Sequence, residues 1–393
     1  MTHRFPPDMV ARTMRRMAEV TRLTRTGRLT DATAEIQRQL AGKAPDAGGA
    51  SDQTVEGDLV RPNPPPAFGG QGTAAPRLRL GETLRRIAAG RMPTRGVDRS
   101  PVAPVPQGAS FTTRTYHGPE GSREYMLYLP ASAARTAAGM PLVIMLHGCT
   151  QSSADFALGT GMNELAEVEG FVVAYPVQTT AANISRCWNW FQPADQSRDG
   201  GEPAILAGIT RDIQQAENID TARTFVAGLS AGGAAAVILA QAYPDLFAAV
   251  GVHSGLPLGA AVDVPSAFAA MRSGAAGRRL VHAVPTIVFH GSGDQTVDLR
   301  NGRAVTEQAQ SRFAGQKVVE TGQSSGGRHY ERVALVHDDG RSSCEFWLID
   351  GAPHAWAGGN SAGSYTDPSG PDASSEMLKF FRQHRLAATT LQG

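Results

Sequence analysis

Residues 224–240 read TFVAGLSAGGAAAVILA, and the fold turns on this stretch. Phe225-Val226-Ala227 has the character of a buried strand, and the Ala, Val, Ile and Leu after Gly233 have the composition of a buried helix. Between them stands Gly228-Leu229-Ser230-Ala231-Gly232. A chain that leaves a strand and enters a helix this quickly strains its central residue and presses backbone against backbone, so small residues are needed two positions either side of the serine. Gly228 and Gly232 meet that need. Such a turn lifts the Ser230 hydroxyl above the end of a parallel sheet and points N–H groups of the helix start at any oxyanion forming there. As a bare pentapeptide the pattern is common in a chain with 44 glycines; the strand before it and the helix after it give it weight.

Outward from this turn the chain alternates. Arg123 to Leu129 has the period of a half-buried strand, and Pro141 to Leu146 is a continuous apolar run suited to a central parallel strand. Gly170 to Tyr175, Thr224 to Ala227, Ala248 to Val252, Thr286 to Phe289 and Glu345 to Ile349 read as further strands. Helices are expected near Asn163 to Glu169, Pro203 to Glu217, Ala231 to Tyr243, Val305 to Phe313 and Ser374 to His384. This alternation implies an α/β fold, a doubly wound and mostly parallel sheet of the α/β-hydrolase kind. Helices cover both faces, and ligands bind beyond the carboxyl ends of the strands.

A serine hydroxyl needs a histidine to take its proton, and that histidine needs a carboxylate to hold it. In this fold the partners follow in the order serine, acid, histidine, each after a later strand. His290-Gly291-Ser292-Gly293-Asp294 follows one strand and offers Asp294; Asp350-Gly351-Ala352-Pro353-His354 follows another and offers His354. Asp298 is the rival acid but lies four residues further from its strand. His253 and His290 end strands and His147 opens a loop, but only His354 comes late enough; His329 and His337 read as surface or loop residues. Two backbone N–H groups should bind the oxyanion: that of Ala231, and one from Leu146-His147-Gly148-Cys149-Thr150-Gln151. Gly148 is expected to make a turn closed to other residues, which leaves the Cys149 amide as the donor.

Composition limits the ligand. Lys+Arg at 37 against Asp+Glu at 36 gives a formal charge of +1, which argues against nucleic acid or an anionic membrane as the main partner. No run is long and apolar enough to span a bilayer. No dinucleotide fingerprint, P-loop, His-Glu-x-x-His or Cys-x-x-Cys occurs, so neither cofactor nor metal is expected. Residues 1–42 read as a basic helical hairpin, with Val10, Met14, Met17 and Ala18 on one stripe and Arg12, Arg15, Arg16 and Arg22 around it. It could dock a partner or an acidic surface. Asp8, Glu19, Asp31 and Glu35 dilute its charge and favour a solvated arm instead. Residues 43–108 are rich in Gly, Pro and Ala and read as a disordered linker, which leaves 109–388 as the catalytic domain.

LHGCTQ at 146–151, TGMNELAEVEGFVVAYP at 160–176, RCWNWF at 186–191 and GLSAGGAAA at 228–236 resemble the poly(3-hydroxybutyrate) depolymerase-type esterases. These are α/β-hydrolases related to feruloyl and acetylxylan esterases. The resemblance runs from about Thr112 to His384. It implies a cofactor-free serine carboxylic-ester hydrolase acting on a small or oligomeric ester, with Ser230, Asp294 and His354 as the triad and Cys149 in the oxyanion hole. It also implies that Trp188, Trp190 or Trp356 lines the acyl site and that Cys149 pairs with Cys187, leaving Cys344 free. Sequence alone, with no apolar leader visible, reads as cytoplasmic, whereas the resemblance implies an extracellular enzyme. No polymer-binding module follows His354, so short-chain 3-hydroxyacyl esters or oligomers are the expected substrates. Feruloyl or acetylxylan esters are the enzymatic alternative, and a non-catalytic α/β-hydrolase scaffold acting as a binding module is the alternative of another class.

Overall fold

A computed structural model of the chain describes residues 105–133 and 139–387. The hairpin expected at 1–42 lies outside these residues, as does the linker at 43–108 apart from its last four positions.

The core of the described part is a sheet of ten strands. In chain order they are β1 (Ser110–Gly118), β2 (Gly121–Leu129), β3 (Met140–Leu146), β4 (Val172–Pro176), β5 (Ile219–Leu229), β6 (Ala249–His253), β7 (Thr286–Gly291), β8 (Gln316–Gln323), β9 (His329–Val336) and β10 (Ser342–Ile349). The sheet order is β1-β2-β4-β3-β5-β6-β7-β10-β9-β8. The stretch from β4 through β10 is parallel. Antiparallel strands close both flanks: β1 and β2 on one side, β9 and β8 on the other. Parallel strands need both faces covered, and the sequence supplies apolar residues at successive positions to do it. Along β3 and β5, Ile144 and Val226 enter one core, while Val143, Met145, Phe225 and Ala227 enter the other.

Helices α1 (Ser153–Thr160), α2 (Met162–Glu169), α3 (Gly201–Ala216), α4 (Ala231–Ala242), α5 (Val264–Ser273), α6 (Leu299–Gln310) and α7 (Ala373–Phe381) fill the layers. Ile209 and Ile213 of α3, Val237 and Leu239 of α4 and Val305 of α6 pack in the first core. Phe156 of α1, Met162 of α2 and Met377, Phe380 and Phe381 of α7 pack in the second. The Phe381 ring stacks on Phe225 at 4.8 Å between centroids. Close docking of α7 is possible because β6 carries Gly251, where an added Cβ would stand 2.7 Å from Met377 Sδ. Burying each such large side chain stabilises the fold by roughly 1.5–3 kcal/mol.

Within the described residues, the strands and helices expected from the sequence are present, with shifted ends. The helix expected from Val305 begins at Leu299, because Asp298 caps it by accepting the Arg300 N–H at 3.0 Å. Helices α1 and α5 and strands β1, β8 and β9 were not anticipated. No helix among the described residues is long and apolar enough to cross a membrane.

Candidate active site

β5 ends at Leu229 and α4 begins at Ala231, so the turn between them is made at Ser230. Its backbone sits at φ 58°, ψ −119°, a region that costs a residue with a side chain on the order of 1–3 kcal/mol. Crowding explains the flanking glycines. A Cβ at Gly228 would lie 2.4 Å from the Gly232 carbonyl group, and one at Gly232 would lie 2.0 Å from the Leu146 carbonyl oxygen. The strained turn is pinned from two sides: the Ser230 N–H donates to the His253 carbonyl at 2.8 Å, and the Ser230 carbonyl accepts from the Ala234 N–H at 3.0 Å.

Asp294 and His354 meet across two neighbouring loops. β7 and β10 are adjacent and parallel, so the segments after them leave the same edge of the sheet. They pack closely enough that a Cβ on Gly291 would lie 2.1 Å from the Ala352 carbonyl oxygen. His354 Nδ1 donates to Asp294 Oδ2 at 2.7 Å, while Asp294 Oδ1 accepts the N–H groups of Thr296 and Val297, both at 2.9 Å. Burial raises the Asp294 carboxyl pKa, but the bond and charge of His354, the His290 charge and the Val297 N–H outweigh it and bring it to about 2. With Nδ1 committed to the carboxylate, Nε2 of neutral His354 keeps its lone pair, which is what a general base requires. Asp298 is occupied elsewhere: besides capping α6, it binds Arg300 Nε and Nη2 at 2.9 and 3.0 Å. Ser230 Oγ makes no hydrogen bond among the described residues.

On the other side of the serine, β3 runs into His147-Gly148-Cys149-Thr150-Gln151. The Gly148 N–H donates to Gln151 Oε1 at 3.0 Å, and its carbonyl accepts from His147 Nδ1 at 2.8 Å. The Thr150 N–H donates to the Ser185 carbonyl at 2.7 Å. Among the described residues the Cys149 N–H has no acceptor, and the Ala231 N–H, first in α4, has no intrahelical partner. These are the two amides expected to face an oxyanion. Gly148 does not play the part expected of it. The left-handed turn falls at Thr150, with φ 67°, and Gly148 itself is outside that region.

The chain matches the family profile described as Esterase PHB depolymerase over residues 123–334, more than half of its length. It belongs to that family. Ser230 and Asp294 fall inside the matched residues and His354 beyond them. Poly(3-hydroxyalkanoate) depolymerase C of Paucimonas lemoignei is 29% identical over 272 residues, covering 66% of this chain and 63% of that one. A probable acetylxylan esterase A of Aspergillus fumigatus is 34% identical over 143 residues, 36% of each chain. The chain therefore spans less than two thirds of these curated relatives. The solved acetyl xylan esterase from Aspergillus awamori superposes with a TM-score of 0.54 at 20% identity, over 70% of this chain and 99% of that one, and shows the shared α/β-hydrolase fold.

The three tryptophans expected at the acyl site are buried. Trp188, Trp190 and Trp356 are 1%, 5% and 1% exposed. Two of the indoles are hydrogen-bonded: Trp188 Nε1 donates to the His147 carbonyl at 3.1 Å, and Trp356 Nε1 donates to Ser374 Oγ of α7 at 3.0 Å.

Cys149 and Cys187 are joined in a disulfide, and Cys344 is a buried free thiol. The segment that carries Cys187 rests on a polar cluster that sequence reasoning missed. Gln178 Nε2 donates to the Cys187 carbonyl at 2.9 Å and also to Glu202, while Arg123 donates to Gln178. Glu202 accepts the Asn189 N–H at 2.7 Å and Asn189 Nδ2 at 2.8 Å. Arg123, Gln178 and Glu202 are all buried. A buried charge needs partners of this sort, and these hold the RCWNWF loop in place. Among the described residues no group of three His, Cys, Asp or Glu is placed to hold a metal ion.

Proposed function

We propose that this family member is a serine carboxylic-ester hydrolase that works through an acyl-enzyme, with Ser230 as nucleophile, His354 as general base and Asp294 as its orienting acid. The observation that carries the reading is the 2.7 Å bond from His354 Nδ1 to Asp294, which leaves Nε2 free as a base, beside a strained serine turn flanked by two uncommitted amides. Catalytic hydrogen bonds often close only around substrate, and Ser230 Oγ is free to turn toward Nε2. Nε2 takes the hydroxyl proton as Oγ attacks the ester carbonyl. The tetrahedral oxyanion then rests on the Cys149 and Ala231 N–H groups, each worth on the order of 10²- to 10³-fold in rate. His354 returns the proton to the departing alcohol, and water activated by the same imidazole releases the acid.

Short-chain 3-hydroxyacyl esters and their soluble oligomers are the substrates this reading favours, in line with the depolymerase from Paucimonas lemoignei. Acetylated or feruloylated sugars are the second reading, carried by the similarity to the Aspergillus fumigatus protein. Turnover of p-nitrophenyl esters, hydroxybutyrate oligomers, acetylated xylan and feruloyl esters by wild type and Ser230→Ala tests both. The variant should lose on the order of 10⁴-fold or more in kcat/KM while keeping its circular dichroism spectrum. An inactive wild type would favour the binding-module alternative, and preference for the sugar esters would move the substrate assignment.

A further inference from the structure

His253 takes no part in the mechanism above, yet it touches both halves of the site. It is the last residue of β6, in register with Leu229 of β5 on one side and Phe289 of β7 on the other. Its carbonyl accepts the N–H of Ser230, the strained residue of the turn. Its ring reaches the other way. Nε2 lies 3.0 Å from the N–H of Ala357, three residues beyond His354. That segment includes Trp356–Ala357, a short strand paired with Thr366–Asp367.

A backbone N–H can only donate, so Nε2 must be the acceptor and the ring proton must sit on Nδ1, which lies 3.2 Å from Ser254 Oγ. The ring stacks between Phe289 and Trp356, at 5.8 and 5.3 Å between centroids, and is 1% exposed. Burial and the nearby His290 and His354 lower its pKa to about 3, with Asp294 opposing, so the imidazole stays neutral in this tautomer. Packing alone would be satisfied by any flat or branched apolar side chain. An acceptor for the Ala357 N–H would not, and Ala357 is itself buried. An amide left orphaned there is relieved only by moving the segment that carries His354.

We infer that His253 is a positioning residue: one side chain and its own carbonyl hold the nucleophile turn and the general-base loop at a fixed separation. The inference rests on the hydrolase reading, and the controls keep the two apart. If wild type hydrolyses no ester, or Ser230→Ala is as active as wild type, the hydrolase reading fails. Where those controls behave, the variants at 253 and 254 decide.

The kinetics of a p-nitrophenyl ester are measured for wild type, His253→Leu, His253→Gln and Ser254→Ala. His253→Leu keeps the bulk and removes the acceptor; kcat should fall by about 10²-fold, the scale of an ångström's misplacement. KM should stay within about twofold, since substrate contacts are untouched. His253→Gln offers an amide oxygen to the Ala357 N–H and should regain about tenfold, the worth of one hydrogen bond. A purely structural role would lower stability in both variants without separating Leu from Gln in kcat. Ser254→Ala removes one atom and leaves the buried Nδ1–H without its acceptor, loosening the ring that holds Ala357; should His253→Leu fail to fold, a kcat loss of about fivefold at unchanged KM in this variant supports the inference. Equal kcat in folded His253→Leu and His253→Gln overturns it, as does wild-type kcat in Ser254→Ala where His253→Leu does not fold.

Discussion

On one side of Ser230, Asp294 and His354 sit on loops that follow adjacent strands, β7 and β10, and a single 2.7 Å hydrogen bond joins them. On the other side, Cys149 is tied by a disulfide to Cys187, 38 residues away in sequence, whose loop rests on Gln178, Glu202 and Arg123. The acid–base half is built by the sheet itself, because neighbouring parallel strands deliver their loops to one edge. The oxyanion half also starts from adjacent parallel strands, β3 and β4, but Cys187 lies well beyond the end of β4, and cross-links hold its loop to Cys149. The first should therefore fail through the loss of a single functional group. The second should fail gradually, through loosened supports.

The largest effect should come from the acid–base half. Asp294→Asn keeps the shape but lets the amide donate to His354 Nδ1, which favours the wrong tautomer; a loss on the order of 10⁴-fold in kcat is expected. Asp298→Ala, which deletes the rival carboxylate, should leave kcat within about twofold and cost about 1 kcal/mol as a lost helix cap. Steady-state kinetics and urea melts of the two variants check this. If Asp298→Ala abolished turnover and Asp294→Asn did not, the roles given to the two acids would be exchanged.

Legibility in the sequence followed the same division. That Ser230 sits in a strand-to-helix turn and that Asp294 and His354 stand on neighbouring loops is legible because each follows an apolar strand, and a strand end is a local signal. The Cys149 amide was readable by its place after β3, although the left-handed residue proved to be Thr150 and not Gly148. Arg123, Gln178 and Glu202 left no such trace, since each is an ordinary polar residue until the fold buries it beside the others. The tryptophans are ambiguous for a related reason: an aromatic residue near an active-site motif looks the same in sequence whether it faces the substrate or supports the loop. Helix α1 escaped because every residue from Phe156 to Thr160 is buried, which erases the one-sided stripe that marks an amphipathic helix. The hairpin of β8 and β9 escaped because Gln316–Gln323 is mostly exposed at an edge and carries little apolar alternation.

A smaller effect is expected from the oxyanion half. Replacing both Cys149 and Cys187 by serine leaves the backbone amide of residue 149 in place but unties it. A loss of about tenfold in kcat is expected, one to two orders below that of deleting an oxyanion donor outright. For a 38-residue separation the lost cross-link should also cost about 3–4 kcal/mol in unfolding free energy. Parallel urea melts and kinetics, with dithiothreitol-treated wild type beside the variant, measure both. Unchanged kcat in a folded variant would show that the Glu202 cluster alone holds the loop, and the contrast between the halves would then rest on hydrogen bonds only.

The smallest effect is in the pH dependence of stability, where each half contributes a buried histidine. Burial pushes the His147 imidazole down to about 4 and that of His253 to about 3. Unfolded, both return to about 6.5. Above that value both states are neutral and the histidines contribute nothing to the pH dependence. As pH falls below it, the unfolded chain takes up protons that the folded one refuses, so stability declines until the folded values are reached. Each histidine should add a slope of about 1.4 kcal/mol per pH unit between roughly pH 6 and pH 4.5. Asp294 does not act in this window. Its folded pKa is depressed to about 2, so its contribution is present above the unfolded value near 3.9 and is lost only as pH falls through that lower range. Urea melts at half-unit steps from pH 7 to pH 4.5 should give a falling free energy, and His147→Gln and His253→Gln should each flatten it by about one proton. Equal flattening would place one neutral imidazole on each side of the serine. A slope unchanged in His147→Gln alone would mean that the oxyanion-side ring is protonated in the folded state at those pH values, with its Nε2 no longer free to accept the Gln178 N–H.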